Sequence, residues 1–221
     1  MEDKSLEILA EGPRWVVINK PAGIATERNF TNDTVEARAQ VQWKRPGSSG
    51  SPFVGIVHRL DRPVSGTLLL ARNKSTLVFL NEAFARREVT KTYWALTDKP
   101  LPAAAGTLRH YLLRDQAARR AVASTRPLPG AQEATLSYQL LAHTGGHFHW
   151  EIQLETGRYH QIRAQLAAAG APILGDAAYG SRRIIAPQAI ALHARRLSFP
   201  TPEGELLTVE APPPVWFAGA V

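Results

Sequence analysis

The chain has 221 residues, 44% of them hydrophobic and 20% charged, a balance typical of a globular protein with a substantial core. It contains no cysteine, which excludes disulfides, thiolate nucleophiles and cysteine metal ligands. No apolar run approaches the roughly 18 residues that a membrane-spanning helix needs, and no apolar leader follows the N-terminal Met-Glu-Asp-Lys. We therefore expect a cytoplasmic protein that does not insert into a membrane.

The formal net charge is +7 and the sequence pI is about 10.0. Residues 82–126 contain nine Lys or Arg against four Asp or Glu, so this stretch carries most of the excess. Arginine dominates it, and arginine suits bidentate contact with phosphate. The composition alone leaves two interpretations open, a nucleic-acid surface and an ordinary solvated face.

The first half of the chain predicts three strands and two helices. Residues 15–18 form a short apolar run that predicts a buried strand, and residues 34–43 predict a short helix. Turn-forming residues predict a loop over 44–52, and strands are expected at 53–57 and 67–71 around a loop at 59–66. Asn73 or Ser75 is expected to cap a helix that runs to about Arg87, because Leu77, Leu80 and Phe84 recur at helical spacing.

The second half is dominated by strands. Alternating patterns predict a strand over 90–97, a hairpin-like pair at 108–113 and 120–125, and an antiparallel pair at 134–141 and 148–154 joined by Gly145-Gly146. A helix is expected over 161–169 with Ile162, Leu166 and Ala169 on one face, and strands near Leu197 and over 206–209 complete the chain. Strands outnumber helices without strict alternation, which predicts an α+β fold with a mixed, largely antiparallel sheet.

The segment 57–66 places a carboxylate, Asp61, between Arg59 and Arg62 in a loop that joins two strands. Neighbouring arginines favour an ionised carboxylate, and such a group can act as a nucleophile or a base. Taken alone, the segment is better explained as a structural cluster of ion pairs.

Three other patterns have a structural and a functional interpretation. Residues 155–163 gather polar groups at the start of a helix, which suits either an anionic ligand or a capped helix. In residues 91–96, an aromatic side chain on a strand can stack on a base but more often belongs to the core. The pair His147 and His149 shares a strand face, but no third metal ligand is evident nearby, so we predict no metal site.

The chain resembles the RluA family of RNA pseudouridine synthases through motifs that occur in family order. The matching segments are residues 18–23 (Ile-Asn-Lys-Pro-Ala-Gly), 58–61 (His-Arg-Leu-Asp), 65–66 (Ser-Gly), 91–95 (Lys-Thr-Tyr-Trp-Ala), 156–158 (Thr-Gly-Arg), 160–163 (His-Gln-Ile-Arg), 170–173, 175–176, 179–180 and 192–194. Each motif is weak alone, but the ordered set is highly specific. The resemblance implies the pseudouridine synthase fold, with a central active-site cleft and a single catalytic domain over residues 1–221.

The resemblance also implies an enzyme that isomerises uridine to pseudouridine in ribosomal or transfer RNA without a cofactor or metal. Asp61 matches the family's essential aspartate, which attacks the sugar or acts as a base. Tyr93 matches the tyrosine that packs on the uracil, and Arg163 the basic residue that pairs with the aspartate. Arg59 matches the arginine that holds the flipped nucleotide. The neighbouring motif positions are expected to contact the substrate: His58, Arg62, His160 and Gln161.

The sequence departs from the family pattern at several positions. Arg62-Pro63-Val64 replaces the usual Lys-x-Thr, so a hydroxyl is lost at Val64. Tyr159 stands where threonine is common, and Ala164-Gln165-Leu166 replaces Val-His-Leu. The 14 residues before Trp15 are too few for the S4 domain that many relatives carry, so we expect the catalytic domain itself to bind RNA through residues 82–126. We also expect a monomer. Two alternatives are an inactive RNA-binding module on the same fold and a basic hydrolase.

Overall fold

The computed structural model describes residues 4–28 and 33–217, which cluster by contact into two compact units. The first unit runs to Lys91 and includes Ala194–Pro212, and the second comprises Thr92–His193 and the segment from Pro213 onward. The expected single catalytic domain over 1–221 stays a prediction, and its ends, residues 1–3 and 218–221, lie outside the described residues.

Eleven strands and three α-helices are present in the described residues. The strands are β1 (Glu7–Glu11), β2 (Trp15–Lys20), β3 (Gly55–Ile56), β4 (Ser65–Ala71), β5 (Thr90–Thr97), β6 (Ala105–Asp115), β7 (Arg120–Ser124), β8 (Gln132–Thr144), β9 (His147–Leu154), β10 (Leu192–Pro200) and β11 (Leu206–Glu210). The helices are α1 (Val35–Gln42), α2 (Lys74–Ala85) and α3 (Gln161–Ala168), and short 3-10 turns lie at Ala177–Tyr179 and Val215–Phe217.

In the first unit, β1, β2, β4 and β10 are neighbours in that order, with β11 beside β10 and β3 beside β4. β2 and β4 are almost entirely buried, in keeping with their apolar runs at 15–18 and 68–71, and α2 packs against β4. The core beneath them includes Trp15, Leu69 and Phe199. Gly66, where β4 begins, has a φ of 115°, and a Cβ there would lie 2.2 Å from the carbonyl oxygen of Ala194. Only glycine allows this close approach to β10.

In the second unit, the strand order is β5, β9, β8, β6, β7, and each adjacent pair is antiparallel. Gly145 and Gly146 form the two-residue turn between β8 and β9, with φ values of 59° and 75°. Positive φ at both positions is the requirement of a type I′ hairpin turn. The α+β, largely antiparallel fold predicted from the sequence is thus confirmed.

Helix α3 packs against β6 and β7 of the second unit. Six consecutive residues from Gln161 to Leu166 are buried, so burial extends around the helix beyond the face of Ile162 and Leu166. Polar side chains of this helix make hydrogen bonds inside the protein. The amide nitrogen of Gln165, for example, donates to the carbonyl oxygens of Leu108 at 3.0 Å and Ala134 at 3.1 Å.

Helix caps agree with the sequence. Thr34 caps α1 by accepting from the Ala37 amide at 3.1 Å, and Asn73 caps α2 by accepting from the Thr76 amide at 2.8 Å. None of the helices in the described part of the chain is long and apolar enough to span a membrane.

Candidate active site

Asp61 lies in the first unit, half-buried, in the loop between β3 and β4. Its neighbours Leu60 and Val64 are buried, at 6% and 2% exposure, and anchor the loop on either side of the carboxylate. The Thr26 hydroxyl donates to the Leu60 carbonyl at 3.0 Å and accepts from the Leu60 amide at 3.3 Å, while the Val64 amide donates to the Asp61 carbonyl at 3.0 Å. The backbone that carries the aspartate is therefore fixed at both ends.

The two arginines that flank Asp61 in sequence have partners in the preceding segment. The Arg59 guanidinium, whose side chain is 71% exposed, contacts Glu27 at 3.2 Å. The Nε of Arg62 donates to the Gly23 carbonyl at 2.8 Å. The exposure of Arg59 is compatible with the RNA contact predicted for it, which stays a prediction.

His58 is built into the first unit. Its Nε2 accepts a hydrogen bond from the Leu69 amide at 3.0 Å, and its ring stacks on Phe84 with centroids 5.1 Å apart. Burial, followed by the charge of Lys91, lowers the pKa of His58 to about 3, so its imidazole is neutral at pH 7. These contacts give His58 a structural role that involves no substrate, and its substrate contact stays a prediction.

Lys20 was not among the predicted site residues, but it lies beneath the Asp61 loop. Its side chain is fully buried and its Nζ donates to the carbonyl oxygens of Ile24 at 2.8 Å, Pro21 at 2.9 Å and Arg62 at 3.3 Å. Burial lowers its pKa to about 7, an effect that the charge of Asp61 opposes and that of Arg62 reinforces. The sequence signal was a lysine two residues after the buried apolar run 15–18.

Tyr93 and Arg163 belong to the second unit. Tyr93 is on β5, opposite Ile152 of β9, and is 7% exposed. Arg163 is on α3 and is 6% exposed. Its Nε and one Nη donate to the two carboxylate oxygens of Asp176 at 2.7 and 2.9 Å, and its guanidinium lies 5.0 Å from the Tyr179 ring centroid.

Asp176, which lies in the matching segment 175–176, is fully buried beside Arg163. A bidentate pair of this kind fixes both the position and the plane of the guanidinium. Arg163 is thereby a rigidly oriented cation, as a charge partner for a catalytic carboxylate must be. Its pairing with Asp61 stays a prediction.

His160 and Gln161 form the start of α3. His160 has a φ of 51°, its ring stacks on Tyr159 with centroids 3.8 Å apart, and its Nδ1 shares a 3.1 Å hydrogen bond with the Tyr179 hydroxyl. The Gln161 amide oxygen accepts from the Thr156 hydroxyl at 2.8 Å, and its nitrogen donates to the Thr135 carbonyl at 3.0 Å. Both side chains position the helix start, and their predicted substrate contacts are untested.

A basic surface adjoins this helix start on the second unit. The Arg114 guanidinium lies 4.4 Å from the centroid of the Tyr159 ring, and the Tyr159 hydroxyl donates to the Arg119 carbonyl at 3.2 Å. Arg114, Arg119 and Arg120 are all exposed at the turn between β6 and β7. Three arginines of the basic stretch thus lie beside the His160–Arg163 segment.

His149, one of the two histidines on the β9 face, is held by packing contacts. His149 is 1% exposed, and its ring packs edge-on against Trp94 with centroids 4.7 Å apart. Burial lowers its pKa, which keeps it neutral. Across residues 4–28 and 33–217, no group of three or more His, Asp or Glu side chains is arranged to hold a metal ion.

Comparison with known proteins gives a consistent result. Residues 14–168 match the sequence profile of the family described as RNA pseudouridylate synthase. The chain is 33% identical to the uncharacterized RNA pseudouridine synthase YhcT of Bacillus subtilis (strain 168) over 215 residues, which are 95% of this chain and 69% of that protein. It is 32% identical over 225 residues to the ribosomal large subunit pseudouridine synthase D of Neisseria meningitidis serogroup A, covering 96% of this chain and 59% of the relative.

Two solved human structures have the same fold. The human RNA pseudouridylate synthase domain containing 4 superposes with a TM-score of 0.77 at 28% identity, covering 97% of this chain and 91% of that one. Domain containing 1 gives a TM-score of 0.79 at 25% identity, covering 97% and 86%.

Fold, ordered motifs and relatives together define a class of isomerases that act on RNA. The chain belongs to the RNA pseudouridine synthase family, and the resemblance to the RluA family is confirmed.

Proposed function

We propose that the protein converts specific uridines of ribosomal or transfer RNA to pseudouridine, with Asp61 as its catalytic carboxylate. The observation that carries this proposal is the Asp61 loop, in which a carboxylate at the family's motif position is held by buried neighbours on both sides. Such preorganisation is what a positioned nucleophile or base requires.

The reaction needs no redox partner because it is an isomerisation. The bond from C1′ of the ribose to N1 of uracil breaks, and a bond from C1′ to C5 forms. The proton on C5 is lost and N1 gains one, so the mass of the RNA does not change. We propose that Asp61 attacks the ribose or transfers a proton and that Tyr93 packs on the face of the uracil. Arg163 is proposed to pair with the negative charge of Asp61.

Arg163 is suited to pairing with Asp61 because another side chain already fixes its guanidinium. The bidentate contact to the buried Asp176 sets the direction of the guanidinium before any substrate arrives. Because a preorganised cation needs no rearrangement during the reaction, it stabilises a neighbouring anion more effectively than a mobile one.

The target base must leave its stack before C1′ becomes reachable, and an exposed arginine can occupy the vacated space. Arg59 is supported for this function by its 71% side-chain exposure two residues before Asp61. Arg62, His58, His160 and Gln161 complete the proposed substrate-binding group.

RNA binding is assigned to the surface around Arg114, Arg119 and Arg120. This surface supplies guanidinium groups for phosphates, and arginine contacts of this kind dominate the affinity of nucleic-acid complexes. Ribosomal RNA is supported as a substrate by the names of relatives such as the Neisseria synthase. We further propose that the protein acts as a cytoplasmic monomer.

Mapping of pseudouridines in total RNA, with and without the gene, tests this function. We expect one or a few positions in ribosomal or transfer RNA to lose their modification when the gene is removed. Purified protein should restore those positions without changing the RNA mass. Release of free uracil would identify a hydrolase, and binding without any new pseudouridine would identify an inactive RNA-binding module.

A further inference from the structure

The Lys20 ammonium is enclosed by backbone oxygens at the end of β2. An ammonium has three N–H donors, and the three carbonyl acceptors of Pro21, Ile24 and Arg62 match that number. The side chain is fully buried. Lys20 therefore acts on other residues of the protein, and not on a substrate directly.

The carbonyl of Arg62 that Lys20 contacts follows Asp61 immediately in the chain. The same oxygen accepts from the Gly23 amide at 2.8 Å, and the Arg62 side chain returns a hydrogen bond to the Gly23 carbonyl. On the other side of Asp61, Leu60 is held by the Thr26 hydroxyl. Residues 20–26 thus clamp the Asp61 loop on both sides of the carboxylate.

Lys20 differs from the rest of this clamp because it brings a charge. A buried ammonium is costly unless something compensates it. Two charged side chains act on it, with opposite effects: the negative charge of Asp61 raises the pKa of Lys20, and the positive charge of Arg62 lowers it. Electrostatic coupling is reciprocal, so the Lys20 ammonium stabilises the negative charge of Asp61 in turn.

We propose that Lys20 is a positioning residue for Asp61, whose buried ammonium both fixes the loop and supplies part of the positive charge that the carboxylate needs. This inference rests on the proposed function of Asp61. It adds a charge partner inside the first unit, independent of Arg163.

If Lys20 positions Asp61 in this way, the reaction rate should depend on the protonation state of Lys20. Burial brings its pKa down to about 7, so the ammonium is charged below that value and loses its proton above it. Deprotonation removes the positive charge that interacts with Asp61 and one of the three donors. The rate of pseudouridine formation is therefore expected to fall as the pH rises through about 7.

The first test compares Lys20→Met with the wild-type protein in single-turnover reactions from pH 6 to 8.5. At pH 6 the variant should be slower by about 10-fold or more, with an unchanged Kd for RNA. The ratio of the two rates should shrink as the pH rises, because the wild-type lysine becomes neutral. A ratio that stays constant across this range would overturn the proposal.

Thr26→Val is the matched control. It removes the hydroxyl that holds Leu60 but leaves every charge in place, so its rate relative to the wild type should not vary with pH. If Lys20→Met and Thr26→Val show the same pH-independent loss, Lys20 is only a mechanical part of the clamp and the electrostatic proposal fails.

A second test needs no activity and no Lys20 variant. NMR titration of the Lys20 side-chain nitrogen in wild-type protein and in Asp61→Asn measures the coupling directly. Because Asp61 raises the pKa of Lys20, neutralisation of Asp61 should lower that pKa measurably. An unchanged value would overturn the proposal even if the protein makes pseudouridine, whereas a shifted value in a protein that makes none would contradict the proposed function alone.

Discussion

The buried ion pair of Arg163 and Asp176 gives a quantitative prediction. Their side chains are 7% and 0% exposed, and two hydrogen bonds of 2.7 and 2.9 Å join them. Asp176→Asn keeps the shape but removes the negative charge, so the buried guanidinium of Arg163 loses its bidentate carboxylate partner. Removal of one partner of a buried pair costs about 3–5 kcal/mol, a large fraction of the roughly 5–15 kcal/mol that stabilises a typical domain.

Urea denaturation followed by circular dichroism at pH 7 measures this loss. The control is Asp33→Asn, because Asp33 forms a pair with Arg38 at 2.6 Å but has a 41% exposed side chain. We expect the control to lose less than about 1 kcal/mol. Replacing both buried partners together, with Arg163→Met and Asp176→Leu, should cost less than Asp176→Asn alone. A loss below about 1 kcal/mol in Asp176→Asn would refute the reasoning.

Three further predictions concern stability and RNA binding. Gly66→Ala should destabilise the protein by more than about 3 kcal/mol in urea denaturation, because its Cβ would meet a backbone oxygen at 2.2 Å. Gly146→Ala, whose Cβ would meet nothing within 4 Å, should lose only about 1–2 kcal/mol, and equal losses would contradict the steric argument. The free energy of unfolding should decrease as the pH falls from about 6.5 toward 3, because unfolded His58 binds a proton that the folded state excludes. His58→Gln should make this decrease less steep. An unaltered decrease would mean that other groups cause the pH dependence. Charge reversal at the exposed arginines should weaken RNA binding. The slope of the logarithm of the binding constant against the logarithm of the salt concentration should fall in magnitude by about 0.7–0.9 for each phosphate that the protein no longer neutralises. An unchanged slope would show that this surface is not part of the RNA interface. The arginines to reverse are Arg114, Arg119 and Arg120.

Local chemistry explains which elements the sequence predicted. The caps at Thr34 and Asn73 and the turn at Gly145-Gly146 depend on residues within three positions of each other. The edge strand β1 was missed because its sequence, Glu-Ile-Leu-Ala-Glu, has no clear alternation and is only partly buried. The strand expected over 53–57 is paired at two residues only, since most of that segment is loop.

The candidate site was predictable only in part, for a physical reason. Ordered motifs located Asp61, Tyr93 and Arg163, but motif order carries no information about what holds each side chain. Lys20 contacts a carbonyl 42 residues away, and Asp176 lies 13 residues from its guanidinium partner. Such supports arise from tertiary packing, so they became visible only in the structure.

The central claim is that Asp61 performs the chemistry on uridine. Release of tritium from RNA labelled at uracil C5 measures it most directly, because that hydrogen leaves when carbon replaces nitrogen at C1′. We predict that Asp61→Asn releases none while binding RNA with the wild-type Kd, and that the surface control Asp33→Asn releases tritium at the wild-type rate. Sustained tritium release by Asp61→Asn would contradict the account.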